Sequence, residues 1–126
     1  MISPKFILLI GSILGFLSVA LGAFGAHAFK DFLLASNRLD TYETAVQYQM
    51  YHALALVLVA VLAFVLPKSD FSWIVYCFLF GVIIFSGSLY LLCATGLKWL
   101  GAVTPLGGLA FLGGWILLAV KAIKEI

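Results

Sequence analysis

The chain has 126 residues, 65% of them apolar, with seven basic and five acidic side chains and a formal net charge of +2. A soluble domain is about 45–50% apolar, and a chain this short has too little interior to hide the excess. A water-soluble enzyme and a disordered segment are therefore excluded, and the small, dispersed positive charge argues against nucleic-acid binding.

Four stretches carry no charge: residues 6–29, 44–67, 71–97 and 99–120. A hydrocarbon layer about 30 Å thick takes about 20 helical residues at about 1.5 Å each, so each stretch is long enough to cross once. Lipid offers the backbone no partners, which makes helices the natural spanning form. The expected spans are about 6–28, 45–66, 72–95 and 100–121. The connections at 67–70 and 95–98 are short and force antiparallel neighbours. The fold class is therefore all-α: a membrane-embedded, single-domain, four-helix up-down-up-down bundle. An even span number puts both termini on one side with Lys5, Lys68, Lys121 and Lys124, against Lys30, Arg38 and Lys98 on the other. The positive-inside rule then favours cytoplasmic termini in a multi-pass cell-membrane protein.

In the first span Gly11, Gly15, Ser18, Gly22 and Gly25 fall three or four apart and share one helix face. Small residues at that spacing let helix backbones approach closely in lipid, here favouring a partner span of the same chain over a second copy. Ala26-His27-Ala28 mimics a signal-peptide cleavage site. The preceding apolar run, however, is too long and too often broken by glycine for that reading.

The second span begins in a polar helical stretch from Thr41 to His52, and only Ala53–Leu66 is free of polar side chains. If Leu66 marks one boundary of the hydrocarbon, His52 lies about 9 Å below the other. Tyr42, Tyr48 and Tyr51 suit an interfacial belt, and Tyr48, Gln49 and His52 share a side. The third span carries Ser86, Ser88, Tyr90 and Cys93 in its second half. In the fourth, Thr104-Pro105 resembles a helix start. The helix therefore begins there or at Leu100, with Pro105 inside it; both starts stay open. Gly107, Gly108, Gly113 and Gly114 supply a second packing face.

His27, Tyr48, Gln49, His52, Ser86, Ser88, Tyr90 and Thr104 thus gather toward one membrane face as a candidate polar cluster. An ionisable side chain inside a membrane is a functional candidate. Haem held between His27 and His52 requires equal depth, and a metal held by His27, His52 and Glu43 has no recognised ligand spacing. Neither is favoured, and no cofactor or metal is expected. A proton-coupled exporter lacks its carboxylate, because every Asp and Glu lies in a connection or at a helix end. Cys77 and Cys93 are 16 residues apart on one helix, about 24 Å, too far for a disulfide. No catalytic triad or phosphate loop appears, and no enzymatic activity is expected.

Gly22-Ala-Phe-Gly-Ala-His27, Tyr48-Gln-Met-Tyr-His-Ala-Leu-Ala-Leu56, Phe85-Ser-Gly-Ser-Leu-Tyr90, Thr104-Pro-Leu-Gly-Gly108 and Phe111-Leu-Gly-Gly-Trp115 occur in that order along the chain. Together they resemble the domain of unknown function 423 family of small bacterial membrane proteins, relatives of transmembrane protein 256. The resemblance implies a multi-span protein, brings no catalytic residue with it, and marks His27, His52 and Thr104 as a shared centre. The expected role is a non-enzymatic assembly or structural component of the membrane. Its partners are the lipid bilayer and either a second copy or another membrane protein. The alternative is a binder or transporter of a small or lipid-like molecule through the polar cluster.

Overall fold

The computed structural model describes all 126 residues. It is all-helical: α1 (Pro4–Ala26), α2 (Lys30–Ala35), α3 (Leu39–Val65), α4 (Ser72–Thr95) and α5 (Leu100–Glu125). Four of these, α1, α3, α4 and α5, are long and apolar enough to cross a membrane.

The helix ends follow local chemistry. Ser3 caps α1 by accepting the Phe6 amide, with Pro4 at the first helical position, where a missing N–H costs nothing. The connection after α1 holds the short helix α2, and just beyond its C-cap Ser36 the chain turns through the left-handed Asn37 at φ 57°, a conformation asparagine tolerates. α3 then starts at Leu39, six residues before the expected span, because the polar stretch is already helical. Gly96, at φ 72°, closes α4 and returns its N–H to the Leu92 carbonyl. Of the two starts left open for the last helix, the structure has the earlier: α5 begins at Leu100 and runs through Pro105.

The helices pack as two pairs. α1 lies along α3, α5 lies along α4, and α3 against α4 joins the pairs. Glycine makes both pairings close. A Cβ at Gly11 would crowd the Ala53 carbonyl and Val57, one at Gly22 would touch Val46, and one at Gly25 would overlap the Tyr42 ring. On α5, a Cβ at Gly107 would overlap the backbone of Phe85, and one at Gly114 the Phe78 ring. Gly15, Gly108 and Gly113 sit at ordinary contact distance from Ala53, Phe85 and Cys77. Ser18 is buried and returns its hydroxyl to the Leu14 carbonyl of its own helix. Both small-residue faces are thus occupied by neighbours within the chain.

The apolar stretches of α3 and α4 bury 44% of their residues, those of α1 and α5 only 17%. α3 and α4 therefore supply the centre, and α1 and α5 turn most of their surface outward. Phe16, Phe64 and Trp73 are each more than 70% exposed. In water such side chains would be a liability; in a bilayer they are the lipid-facing surface. The largest core cluster, with Ile7, Leu56, Val59, Val75 and Phe78, fills the half nearest the α3–α4 connection. At that end Asp70 accepts hydrogen bonds from the Ser72 amide (2.9 Å) and hydroxyl (2.6 Å), and the Ser72 oxygen accepts the Ile2 amide at 3.0 Å. Hydrogen bonding to Ser72 holds the Asp70 carboxyl below its ordinary range.

Candidate functional site

Apart from Ser72, the buried polar side chains lie away from the α3–α4 connection, and they fall into local sets. Gln49, 3% exposed, bridges three helices: its amide donates to the Leu14 carbonyl of α1 at 3.0 Å, and its oxygen accepts the Tyr90 hydroxyl of α4 at 2.6 Å. Ser86, fully buried, donates to the Ala45 carbonyl of α3 at 2.7 Å. Ser88 and Thr104 join α4 to α5 at 2.6 Å. Each of those hydroxyls also reaches a carbonyl of its own helix, Phe85 at 2.9 Å and Leu100 at 3.2 Å. Two protons serve three contacts there, so the pair has two alternative proton arrangements.

His52 is 4% exposed and lies at the middle of α3. Its Nδ1 is 2.8 Å from the Tyr48 carbonyl, and its Nε2 is 3.0 Å from the Trp115 indole nitrogen. A carbonyl only accepts and an indole N–H only donates. The geometry therefore fixes the neutral ring with its proton on Nδ1, and both nitrogens are satisfied. The ring stacks on Phe111, with centroids 3.6 Å apart and planes within 8°. Phe78 and Trp115 close two further sides. Every buried side-chain nitrogen and oxygen in the protein has a hydrogen-bond partner.

Of the eight residues expected to form one cluster, six belong to these sets. His27 does not. It is exposed at the end of α1, where its backbone N–H caps the helix by reaching the Ala23 and Phe24 carbonyls. Its helix meets α3 at Tyr42, ten residues and about 15 Å from His52, so the two imidazoles do not share a site. Tyr48 takes part through its carbonyl and its ring, which packs on Phe85 while remaining 39% exposed. Sequence reasoning missed two members. Tyr42, assigned to the interfacial belt, is buried and its hydroxyl donates to the Leu21 carbonyl. Trp115 partners His52 from 63 residues away. Its signal was the fourth-residue spacing from Phe111, which puts indole and phenyl on one helix face.

A bundle of four apolar helices tied by buried hydrogen bonds defines a multi-pass membrane protein. The chain belongs to the family described as "Protein of unknown function (DUF423)", whose pattern matches residues 21–108. It is 43% identical over 124 residues to the UPF0382 membrane protein YwdK of Bacillus subtilis, covering 95% of this chain and 98% of that one. It is 38% identical to the UPF0382 membrane protein SH2409 of Staphylococcus haemolyticus, covering 95% and 97%. The UPF0382 inner membrane protein YgdD of Escherichia coli is also 38% identical, covering 97% and 92%. No solved structure matches the chain.

Proposed function

We propose that the protein is a non-enzymatic structural component of the cell membrane, an up-down-up-down bundle with both termini in the cytoplasm. In this reading Gln49, His52, Ser86, Ser88, Tyr90 and Thr104 are internal ties rather than a substrate site. The supporting observation is that every buried polar side-chain atom already has a partner. A transport site must stay hydrated and partly open, whereas a structural core is closed and fully bonded. The small-residue faces are used within the chain, so assembly with a second copy or another membrane protein falls to the lipid-facing surfaces of α1 and α5.

The test is access of water to the cluster. Ser86→Cys is placed in a background lacking Cys77 and Cys93, and the protein is reconstituted in liposomes. A structural core leaves the new thiol unreactive toward a small polar maleimide, as long as the helices remain folded. The alternative, a binder or transporter of a small or lipid-like molecule through the cluster, requires rapid labelling. Native mass spectrometry from a mild detergent complements it: a bare oligomer of fixed number supports assembly with itself, and a bare monomer directs the search to another protein.

A further inference from the structure

A cavity of about 470 Å³ lies beneath α2 and meets the polar ties only at Tyr90, the hydrogen-bond partner of Gln49. Its walls are Leu21 of α1, Phe32 and Leu33 of α2, Tyr42 of α3, and Tyr90 and Cys93 of α4. Every lining residue is apolar or aromatic. The two tyrosine hydroxyls have already donated their protons, one to the Leu21 carbonyl and one to Gln49, so the walls offer an occupant mainly apolar contact. The volume is in the range of ligand pockets, about 300–1,000 Å³. Exposed Phe29, Phe32 and Ala94 form its lip, and bring it to the outer surface of the bundle beside a connection that carries charge.

That charge matters at one point. The Arg38 carbonyl accepts the Cys93 thiol at 3.7 Å, and Cys93 is part of the cavity wall, so Arg38 stands at the edge of the cavity. Asp31, Asp40 and Glu43 share the connection, yet none pairs with Arg38; the protein's one ion pair is Lys121–Glu125. A cationic residue without an ion pair, at the edge of a largely apolar cavity, fits a molecule with an anionic head and a hydrocarbon tail. A short helix presenting Phe32 and Leu34 outward between Lys30 and Arg38 is suited to the membrane interface, where such a molecule is a phospholipid of the adjoining leaflet.

We propose that the cavity under α2 holds an acyl chain of an anionic phospholipid whose phosphate is met by Arg38. The experiment uses the full chain in mild detergent, with equal amounts of phosphatidylglycerol and phosphatidylcholine of identical acyl chains, read by native mass spectrometry. The expected result is one retained phosphatidylglycerol per chain, preferred several-fold over phosphatidylcholine. Arg38→Gln removes the preference and leaves phosphatidylcholine retention unchanged. Ala94→Trp, which fills the cavity from its lip, lowers retention of both, and Phe32→Ala, which opens it, does the same by a different route. Helical circular dichroism of each variant confirms that it is folded. Equal retention of the two lipids by the unmodified protein overturns the proposal. So does a preference that survives Arg38→Gln, retention unaffected by both cavity variants, absence of retained lipid, or a retained mass that is not a phospholipid.

Discussion

The α1–α3 and α4–α5 pairings use glycine differently. Along α1, glycines make room for the aliphatic side chains and backbone of α3 and, at Gly25, for one ring; two α3 side chains, Tyr42 and Gln49, then reach across to carbonyls of α1. Between α4 and α5, Phe78, Phe85 and Phe111 each sit on a glycine of the opposite helix, and the polar link is the Ser88–Thr104 pair. In lipid, packing and a few interhelical hydrogen bonds must do what burial of apolar surface does in water. One pair leans on hydrogen bonds to backbone, the other on rings set into glycine notches.

The largest effect that distinguishes the two is at Gly107. A side chain there meets backbone of Phe85, which cannot swing away. Gly107→Leu should cost about 3 kcal/mol or more, the upper end of overpacking, read as a lowered unfolding midpoint in detergent. Gly101→Leu on the same helix, with open space around it, should leave that midpoint unchanged. At Gly25 the obstacle is the Tyr42 ring, so Gly25→Ala should cost about 1–3 kcal/mol and be largely rescued by Tyr42→Leu. A double-mutant cycle without coupling would show that the ring is not what limits this seam.

Hydrogen-bond effects are smaller. Gln49→Leu strands the Tyr90 hydroxyl and removes the tie to the Leu14 carbonyl, which keeps the Ser18 hydroxyl, and should cost about 0.6–1.7 kcal/mol, from the average to the maximum for interhelical bonds in membranes. It should loosen α1 from α3 before it affects α4 and α5, which hydrogen exchange along each helix would resolve. The smallest effect is at the join between the pairs. The folded Asp70 carboxyl is held below its ordinary value by Ser72, so its contribution is present above the unfolded-state pKa and is lost as pH falls through the lower folded value. Asp70→Asn should therefore lower the midpoint slightly at neutral pH, with the gap to the unmodified protein closing in strong acid.

Much of this was legible in the sequence because charge is so costly in lipid. The intervals free of charge located the four spans, and the spacing of Gly11, Gly22 and Gly25 marked the face that meets α3. Gln49 and His52 stood out as polar groups at the end of a polar helical stretch that runs into an apolar span, and both are buried. What remained hidden depends on contacts between distant residues. Trp115 reads as one more aromatic in an apolar span until the fold carries its indole to His52. His27 shares residue type and family motif with the cluster, yet its position at the end of α1 leaves it outside. α2 escaped notice because six residues are too few for a hydrophobic period to declare itself.

The rings and notches of the second pair also set what this molecule can do mechanically. Phe78 and Phe85 stand seven residues apart on α4, as Gly114 and Gly107 do on α5, while Gly81 between the phenylalanines receives Phe111 from between the glycines. The teeth alternate in direction. Sliding one helix by a turn would lift the Phe78 and Phe111 rings out of their notches and bring the Phe85 backbone against a residue with a Cβ. The pair is consequently keyed against piston-like motion of one helix along the other.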